Sequence, residues 1–89
     1  FNQAIHAAIG GANCYSKLGA YGIANEIYDT ILLVHPDDKI ALYGKANNYY
    51  LNKKINCAEK ICKKLVSDHS DFQHPKDLLD LINKQKEKK

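Results

Sequence analysis

A repeat with a period of 34 residues constrains the fold of this 89-residue chain more than any other feature of its sequence. When residues 5–38 are aligned with residues 39–72, nine positions hold an identical residue. The nine pairs are Ala7/Ala41, Gly10/Gly44, Ala12/Ala46, Asn13/Asn47, Tyr15/Tyr49, Ala24/Ala58, Ile27/Ile61, His35/His69 and Asp37/Asp71. A fixed period of this length indicates an array of small units, each of which needs a neighbour to bury its apolar face.

The first copy, residues 5–38, has the pattern of two helices joined by a tight turn. Small, aromatic and aliphatic residues recur at helical spacing along both predicted helices: Ala8, Ala12, Tyr15, Ala24, Tyr28 and Ile31. Gly19 lies between them and can end a helix in a left-handed conformation. Pro36 cannot continue a helix, and Asp37 or Asp38 can cap the next one. This copy therefore predicts a helical hairpin.

The second copy, residues 39–72, repeats the scheme less faithfully, because Lys53 replaces the turn glycine and Ser70 replaces the proline. Its periodic positions are Leu42, Ala46, Tyr49, Ile55, Ala58, Cys62 and Leu65. Within residues 73–89 we expect a helix that opens at Pro75, an acceptable first helical residue. Leucines and Ile82 follow, and then a lysine-rich tail. We therefore predict one all-α domain over residues 1–89: two helical hairpins forming a solenoid, closed by a C-terminal capping helix, with Ala12, Ala24, Ala46 and Ala58 buried at the helix crossings.

Residues 5–72 resemble two tetratricopeptide repeats, which bind peptides or helices on a concave face lined by the first helix of each repeat. The resemblance implies a partner-binding face made of His6, Ile9, Asn13, Ser16, Ile40, Tyr43, Asn47 and Tyr50. Tyrosine offers a rigid contact surface with a polar tip, and asparagine can both donate and accept hydrogen bonds. Such a face suits an amphipathic helix or an extended peptide. The alternative is that Tyr43 and Tyr50 only pack against the capping helix.

A narrower likeness exists to the small bacterial chaperones of type III secretion. Residues 4–14 (AIHAAIGGANC) and 22–27 (GIANEI) resemble the start of the needle-subunit chaperone, in which an Ile-Gly-x-Gly-Asn stretch precedes an Ile-Ala-Glu helix, although the match needs a small gap. The larger translocator chaperones are a second choice, because their last repeats and charged C-terminal helix resemble residues 39–89 about as well.

The needle-chaperone resemblance implies a bacterial, cytoplasmic protein that keeps an aggregation-prone helical needle subunit soluble before export, together with a small helical-hairpin co-chaperone. The alternative is a tetratricopeptide adaptor or scaffold fragment that binds a peptide of another partner, such as the C-terminal carboxylate of a heat-shock protein. That kind of clamp uses Lys and Arg beside Asn. None of the eight residues of the implied binding face is Lys or Arg, so the carboxylate would lack a charge partner.

Charge argues against nucleic-acid binding. The net charge is +3, and the thirteen basic residues are all lysine, whereas a phosphate-binding domain normally uses the bidentate arginine fork. The charge is also uneven, since residues 1–44 have two Lys against four acidic residues and residues 45–89 have eleven against six. We expect Lys45, Lys53 and Lys54 to steer a client, and Lys84, Lys86, Lys88 and Lys89 to form a solvated tail.

No pattern of an enzyme, a metal site or a cofactor site is found in the sequence. Gly10 and Gly11 are not followed by a phosphate-loop pattern, and no paired carboxylates or zinc-protease motif occur. Cys57 and Cys62 are five residues apart, which places them on different faces of a helix, and Cys62 falls on a core position. Three cysteines without a CxxC motif favour a reducing compartment over a disulfide framework, and the short apolar runs predict no membrane insertion. We therefore expect a binding protein and no enzyme.

Overall fold

The computed structural model describes residues 2–87, and the side chains of residues 7–87. Five α-helices follow one another: α1 (Asn2–Lys17), α2 (Tyr21–Val34), α3 (Lys39–Leu51), α4 (Ile55–Asp68) and α5 (Gln73–Glu87). No strand is found between residues 2 and 87. The predicted all-α helical hairpin fold is confirmed.

The helices follow the 34-residue period of the sequence. Helix α4 begins and ends 34 residues after α2, and α5 begins 34 residues after α3. The two hairpin turns also correspond, because Gly19 has a φ of 83° and Lys53, its counterpart, has a φ of 65°. Glycine adopts this left-handed conformation without a steric penalty, whereas the Cβ of a lysine disfavours it. The second hairpin thus keeps the turn geometry although it has lost the turn glycine.

The ends of the second helices are also equivalent. The backbone N–H of His35 donates to the carbonyl of Ile31, and that of His69 donates to the carbonyl of Leu65. After the first of these ends, the Asp38 carboxylate caps α3 by accepting from the backbone N–H groups of Ile40 and Ala41, both at 3.0 Å.

The last helix begins two residues earlier than Pro75, which we expected to open it. Helix α5 begins at Gln73, and Pro75 is buried in its first turn. Backbone N–H groups in a first helical turn have no partner within the helix, so a proline costs no hydrogen bond there. The proline pattern therefore indicates the right turn of the helix but not its first residue.

Packing divides the helices into two layers. Each helix packs on the next one in sequence, and α3 also contacts α1 and α5, whereas α2 and α4 make no contact with each other in the described part of the chain. The inner layer therefore consists of α1, α3 and α5. The molecule is elongated, with principal extents of 43 × 29 × 17 Å.

Two buried clusters form the core. Helices α1, α2 and α3 share the first cluster: Ala12, Ala24, Tyr28, Ile31 and Ala41. Helices α3, α4 and α5 share the second: Ala46, Ala58, Cys62, Leu78 and Ile82. The four alanines predicted at helix crossings are fully buried, which confirms that part of the prediction. Small side chains at these positions let the helix backbones approach closely.

Candidate functional site

A groove of about 290 Å³ runs between α1 and α3 on the inner layer. Residues from both helices, together with Tyr28 of α2, form its walls and floor. Its lining residues are Ile9, Asn13, Ser16, Lys17, Tyr28, Ile40, Tyr43, Gly44, Asn47, Asn48 and Leu51. A concave site that combines apolar side chains with a few polar groups is the usual form of a binding pocket.

Most of the residues that the sequence assigned to the binding face lie in this groove. The structure brings together Ile9, Asn13, Ser16, Ile40, Tyr43 and Asn47. Tyr50 does not line the groove and instead packs, half-buried, against the second core cluster. The side chain of His6 lies outside the described residues. Whether these residues bind a partner stays a prediction.

The groove changes in character along its length. Because α1 and α3 are equivalent helices, Ile9 and Tyr43 occupy the same level, and Asn13 and Asn47 occupy the next level one turn later. Near the helix C-termini, Lys17 and Leu51 occupy equivalent positions. The groove therefore has an apolar end, an amide-lined middle, and one positive charge beside a leucine at the far end.

Tyr28 forms the floor of the groove, and Gly44 makes room for it. A Cβ atom added to Gly44 would lie 2.3 Å from the Tyr28 ring carbon next to the hydroxyl. The ring therefore passes directly over the α3 backbone, and its hydroxyl donates a 2.6 Å hydrogen bond to Oδ1 of Asn13 on α1. Burial raises the pKa of Tyr28, so the hydroxyl stays protonated and remains a donor.

Asn48 ties three helices together beneath the groove, and the sequence analysis did not identify it. Only 1% of the residue is exposed. Its Oδ1 accepts a 2.5 Å hydrogen bond from the hydroxyl of Ser16 on α1, and its Nδ2 donates a 2.9 Å bond to Oδ1 of Asn25 on α2. A buried amide needs such partners, because an unpaired one would lose its hydration without compensation. Ser16, assigned to the binding face, thus also fixes α1 to α3.

Tyr43 belongs both to the groove wall and to an aromatic cluster at the start of α5. Its ring centroid is 5.9 Å from that of Phe72 in an edge-to-face arrangement, and 5.5 Å from that of His74. Burial raises the pKa of Tyr43, with smaller contributions from Cys62 and Asp77. The structure therefore shows the packing toward the capping helix that we kept as an alternative, while part of Tyr43 still lines the groove.

The lysines expected to steer a client differ in their surroundings. Lys45 forms a 2.6 Å ion pair with Asp29 of α2 and lies 5.9 Å from the centre of the Tyr49 ring. Lys53 and Lys54 are exposed in the turn before α4. In the predicted tail, Lys86 pairs with Glu59 of α4 at 2.8 Å. Lys45 and Lys86 therefore join neighbouring helices, a role that charge counting along the sequence does not reveal.

The cysteine thiols are reactive groups that lie outside the groove. The three cysteines are free, with Cys14 and Cys57 exposed and Cys62 buried. Burial raises the pKa of the Cys62 thiol to about 11, so it is protonated at neutral pH. Among the side chains of residues 7–87, no three His, Cys, Asp or Glu residues are grouped closely enough to hold a metal ion. None of the helices within residues 2–87 is both long and apolar enough to cross a lipid bilayer.

Comparisons with protein-family models, with curated proteins and with solved structures gave no match for this chain.

Proposed function

We propose that this domain is a protein-binding module that holds a segment of a client protein in the groove between α1 and α3. The observation that carries the proposal is the exposed apolar surface at the two ends of the groove: Ile40 is 42% exposed and Leu51 is 47% exposed. Each can lose a large apolar area on binding, at about 25 cal/mol per Å² buried. Between these ends, Asn13 and Asn47 can satisfy polar groups of the bound segment.

An amphipathic helix of the client fits this distribution of side chains. Its apolar face would pack on Ile9, Ile40 and Leu51, and its polar positions would meet the amides in the middle of the groove. Recognition of this kind uses apolar anchors spaced three or four residues apart on the bound helix. The affinity then depends on a few buried anchors, because ordering the client offsets part of the gain.

The client that the resemblance implies is a needle subunit of bacterial type III secretion. A helix that would otherwise polymerise is kept monomeric while its apolar face is held in a groove, and mass action sets the fraction that stays soluble. On this proposal the protein is a cytoplasmic chaperone without catalytic activity, which acts together with a small helical-hairpin co-chaperone.

A second candidate function is a tetratricopeptide adaptor that binds the C-terminus of another protein. Lys17 favours it, because the structure places this lysine beside Asn13 at one end of the groove, although the sequence analysis had not assigned it to the binding face. A single ammonium group near two amides is one of the charge partners that a carboxylate needs.

Calorimetric titration of the intact chain with a purified needle subunit tests the chaperone proposal. Leu51→Ala should weaken binding by about 1 to 2 kcal/mol, the scale of a buried apolar anchor. Leu33→Ala is the matched control, because Leu33 is 84% exposed on α2 and does not line the groove. Equal affinity of the two variants would show that the groove is not the client site.

A second titration separates the two functions. An acidic peptide with a free C-terminus is compared with the same peptide amidated, in the wild type and in Lys17→Gln. Tight binding that requires both the free carboxylate and Lys17 would support the adaptor and contradict the chaperone. Binding of the needle subunit alone, unaffected by Lys17→Gln, would support the chaperone.

A further inference from the structure

Helix α1 exposes a surface that matches the surface with which α3 holds α2. We define the outer face of α1 by Ala7, Gly10 and Cys14, three exposed residues that lie together on the helix at positions i, i+3 and i+7. One repeat later, the same positions are Ala41, Gly44 and Asn48, two of which are fully or almost fully buried. The outer face adjoins the groove side of α1, since Gly10 and Asn13 are three residues apart, but none of its three residues lines the groove.

The internal copy shows what this surface can hold. On α3, Gly44 accommodates the Tyr28 ring, and an added Cβ would come within 2.3 Å of it. Ala41 is buried in one cluster with the α2 residues Ala24, Tyr28 and Ile31. Asn48 donates to Asn25 of the same helix. All three positions of α3 are therefore covered by α2.

The corresponding positions of α1 are small and uncovered. Among the side chains that the structure describes, a Cβ atom added to Gly10 would meet nothing within 4 Å, whereas the Tyr28 ring fills the space over Gly44. The adjacent Gly11 also has nothing within 4 Å. Two consecutive glycines inside a helix lower its stability, and close packing against a second helix would offset this loss. The sizes of these α1 residues thus match those of the α3 surface that α2 covers.

We propose that the outer face of α1 docks the second helix of another hairpin of this kind, with an aromatic side chain lying over Gly10 as Tyr28 lies over Gly44. The partner helix is defined by its chemistry: an alanine four residues before the aromatic residue and an aliphatic residue three after it, the pattern of Ala24, Tyr28 and Ile31. None of the three residues of the outer face lines the client groove, and the proposal does not depend on what the groove binds.

A tandem duplication tests the proposal in the full chain. A second copy of residues 5–38 is inserted directly before residue 5, so that the inserted copy of Tyr28 falls over the original Gly10. We expect the midpoint of thermal unfolding to rise by about 5 °C or more, because a further helix interface is buried. Tyr28→Ala in the inserted copy alone should remove most of this rise.

The response to Gly10→Ala is the decisive readout. In the parent chain the added methyl group meets none of the described side chains and improves the helix, so the midpoint should rise. In the duplicated chain the same methyl group, placed in the original copy, would collide with the inserted tyrosine, so the midpoint should fall. A duplicated chain that melts no higher than the parent, or a Gly10→Ala substitution that raises the midpoint in both chains, would overturn the proposal.

Thiol alkylation gives an independent measurement on the same proteins. In the duplicated chain, docking should cover Cys14 of the original copy, since its counterpart Asn48 is 1% exposed. One of the two Cys14 thiols in each chain should therefore react at least about ten times more slowly. Cys57 is exposed on α4 and serves as the internal control. Alkylation of every Cys14 thiol at the parental rate would contradict docking at this face.

Discussion

The α2–α3 interface and the α4–α5 interface lie one repeat apart, yet the larger side chain comes from the first of the two helices in one interface and from the second in the other. In the first, the large Tyr28 of α2 packs over Gly44 of α3. In the second, the equivalent residues are Cys62 on α4 and Leu78 on α5, which share one buried cluster. The larger residue thus lies on α2 in the first interface and on α5 in the second, while the helices keep the same period.

The polar contacts of the two interfaces also differ. Asn25 and Asn48 share a hydrogen bond in the first interface, whereas their counterparts in the second are Glu59 and the fully buried Ile82. Glu59 pairs instead with Lys86. The two interfaces therefore share the positions of their helices but not their side chains. Different pairs of side chains can fill the same space between two helices.

Exchanging the residue sizes of the first interface should have the largest effect. Tyr28→Cys removes a buried ring and should lower the free energy of unfolding by about 3 kcal/mol or more. Gly44→Leu overpacks the site and should cost about 2 to 3 kcal/mol. The double variant imitates the second interface, so it should lose at least about 1 kcal/mol less than the sum of the two single losses, measured by urea unfolding.

Gly10→Leu supplies the control for this exchange. Gly10 is the repeat counterpart of Gly44, but no described side chain lies within 4 Å of a Cβ atom added to it, so a leucine there should not compensate for the loss of the Tyr28 ring. If the losses from Tyr28→Cys and Gly44→Leu add to within about 0.5 kcal/mol in the double variant, the leucine does not replace the volume of the Tyr28 ring.

Asn48→Ala should have the next largest effect, a loss of about 2 kcal/mol in the free energy of unfolding. The substitution leaves the Ser16 hydroxyl and the Asn25 amide without their shared partner inside the interface. Asn47→Ala is the matched control one residue away, in the groove lining, and should cost less than about 0.5 kcal/mol. Equal losses in chemical denaturation would mean that the buried amide adds nothing to the first interface.

The two hairpin turns should respond in opposite directions to substitution. Lys53→Gly should raise the free energy of unfolding by about 1 kcal/mol, because glycine adopts the observed left-handed φ without a Cβ penalty. Gly19→Ala should lower it by a similar amount for the same reason. Lys54→Gly removes the same charge from a residue with a φ of −93° and should not stabilise the protein. A gain from Lys54→Gly equal to that from Lys53→Gly would point to charge as the cause.

The smallest effect concerns acid pH at the second interface. The hydrogen bond from Lys86 is the main cause that lowers the pKa of Glu59 below its ordinary value of 4.5. A lowered pKa in the folded state means that the pair stabilises the fold above about pH 4.5, and that this contribution is lost as the pH falls through the folded-state pKa. Wild type and Glu59→Gln should therefore converge in stability below that pKa. The hydrogen bond between Asn25 and Asn48 joins two neutral amides, so the loss of stability caused by Asn25→Ala should not change over the same pH range.

The helical architecture could be predicted from the sequence because small and turn-forming residues recur at a fixed period. The crossings are predictable from four alanines, because only a small side chain allows close approach of two helices: Ala12, Ala24, Ala46 and Ala58. The start of α5 was less well defined, because a proline is tolerated at several positions of a first turn.

The groove was harder to predict than the helices. Asn48 is not predictable from the periodic identities, because its repeat counterpart is Cys14. Its hydrogen-bond partners also lie on two other helices. Tyr50 was assigned to the binding face from the position of Ser16, but the tyrosine ring packs against the second core cluster instead. Helical spacing gives the direction of a side chain, whereas its size decides whether it reaches the core or stays in the groove.

The lack of contact between α2 and α4 has a mechanical consequence. Within residues 2–87 the first hairpin contacts the rest of the chain through α3, which contacts α1, α2, α4 and α5. Detachment of α5 would expose the second cluster without disturbing Tyr28 or Gly44, so amide hydrogens of α4 and α5 can exchange with solvent through partial openings that leave α1 to α3 protected. Helix α3 thereby divides the molecule into two halves. Each half can open while α3 stays in place, but unfolding of α3 would disrupt both halves.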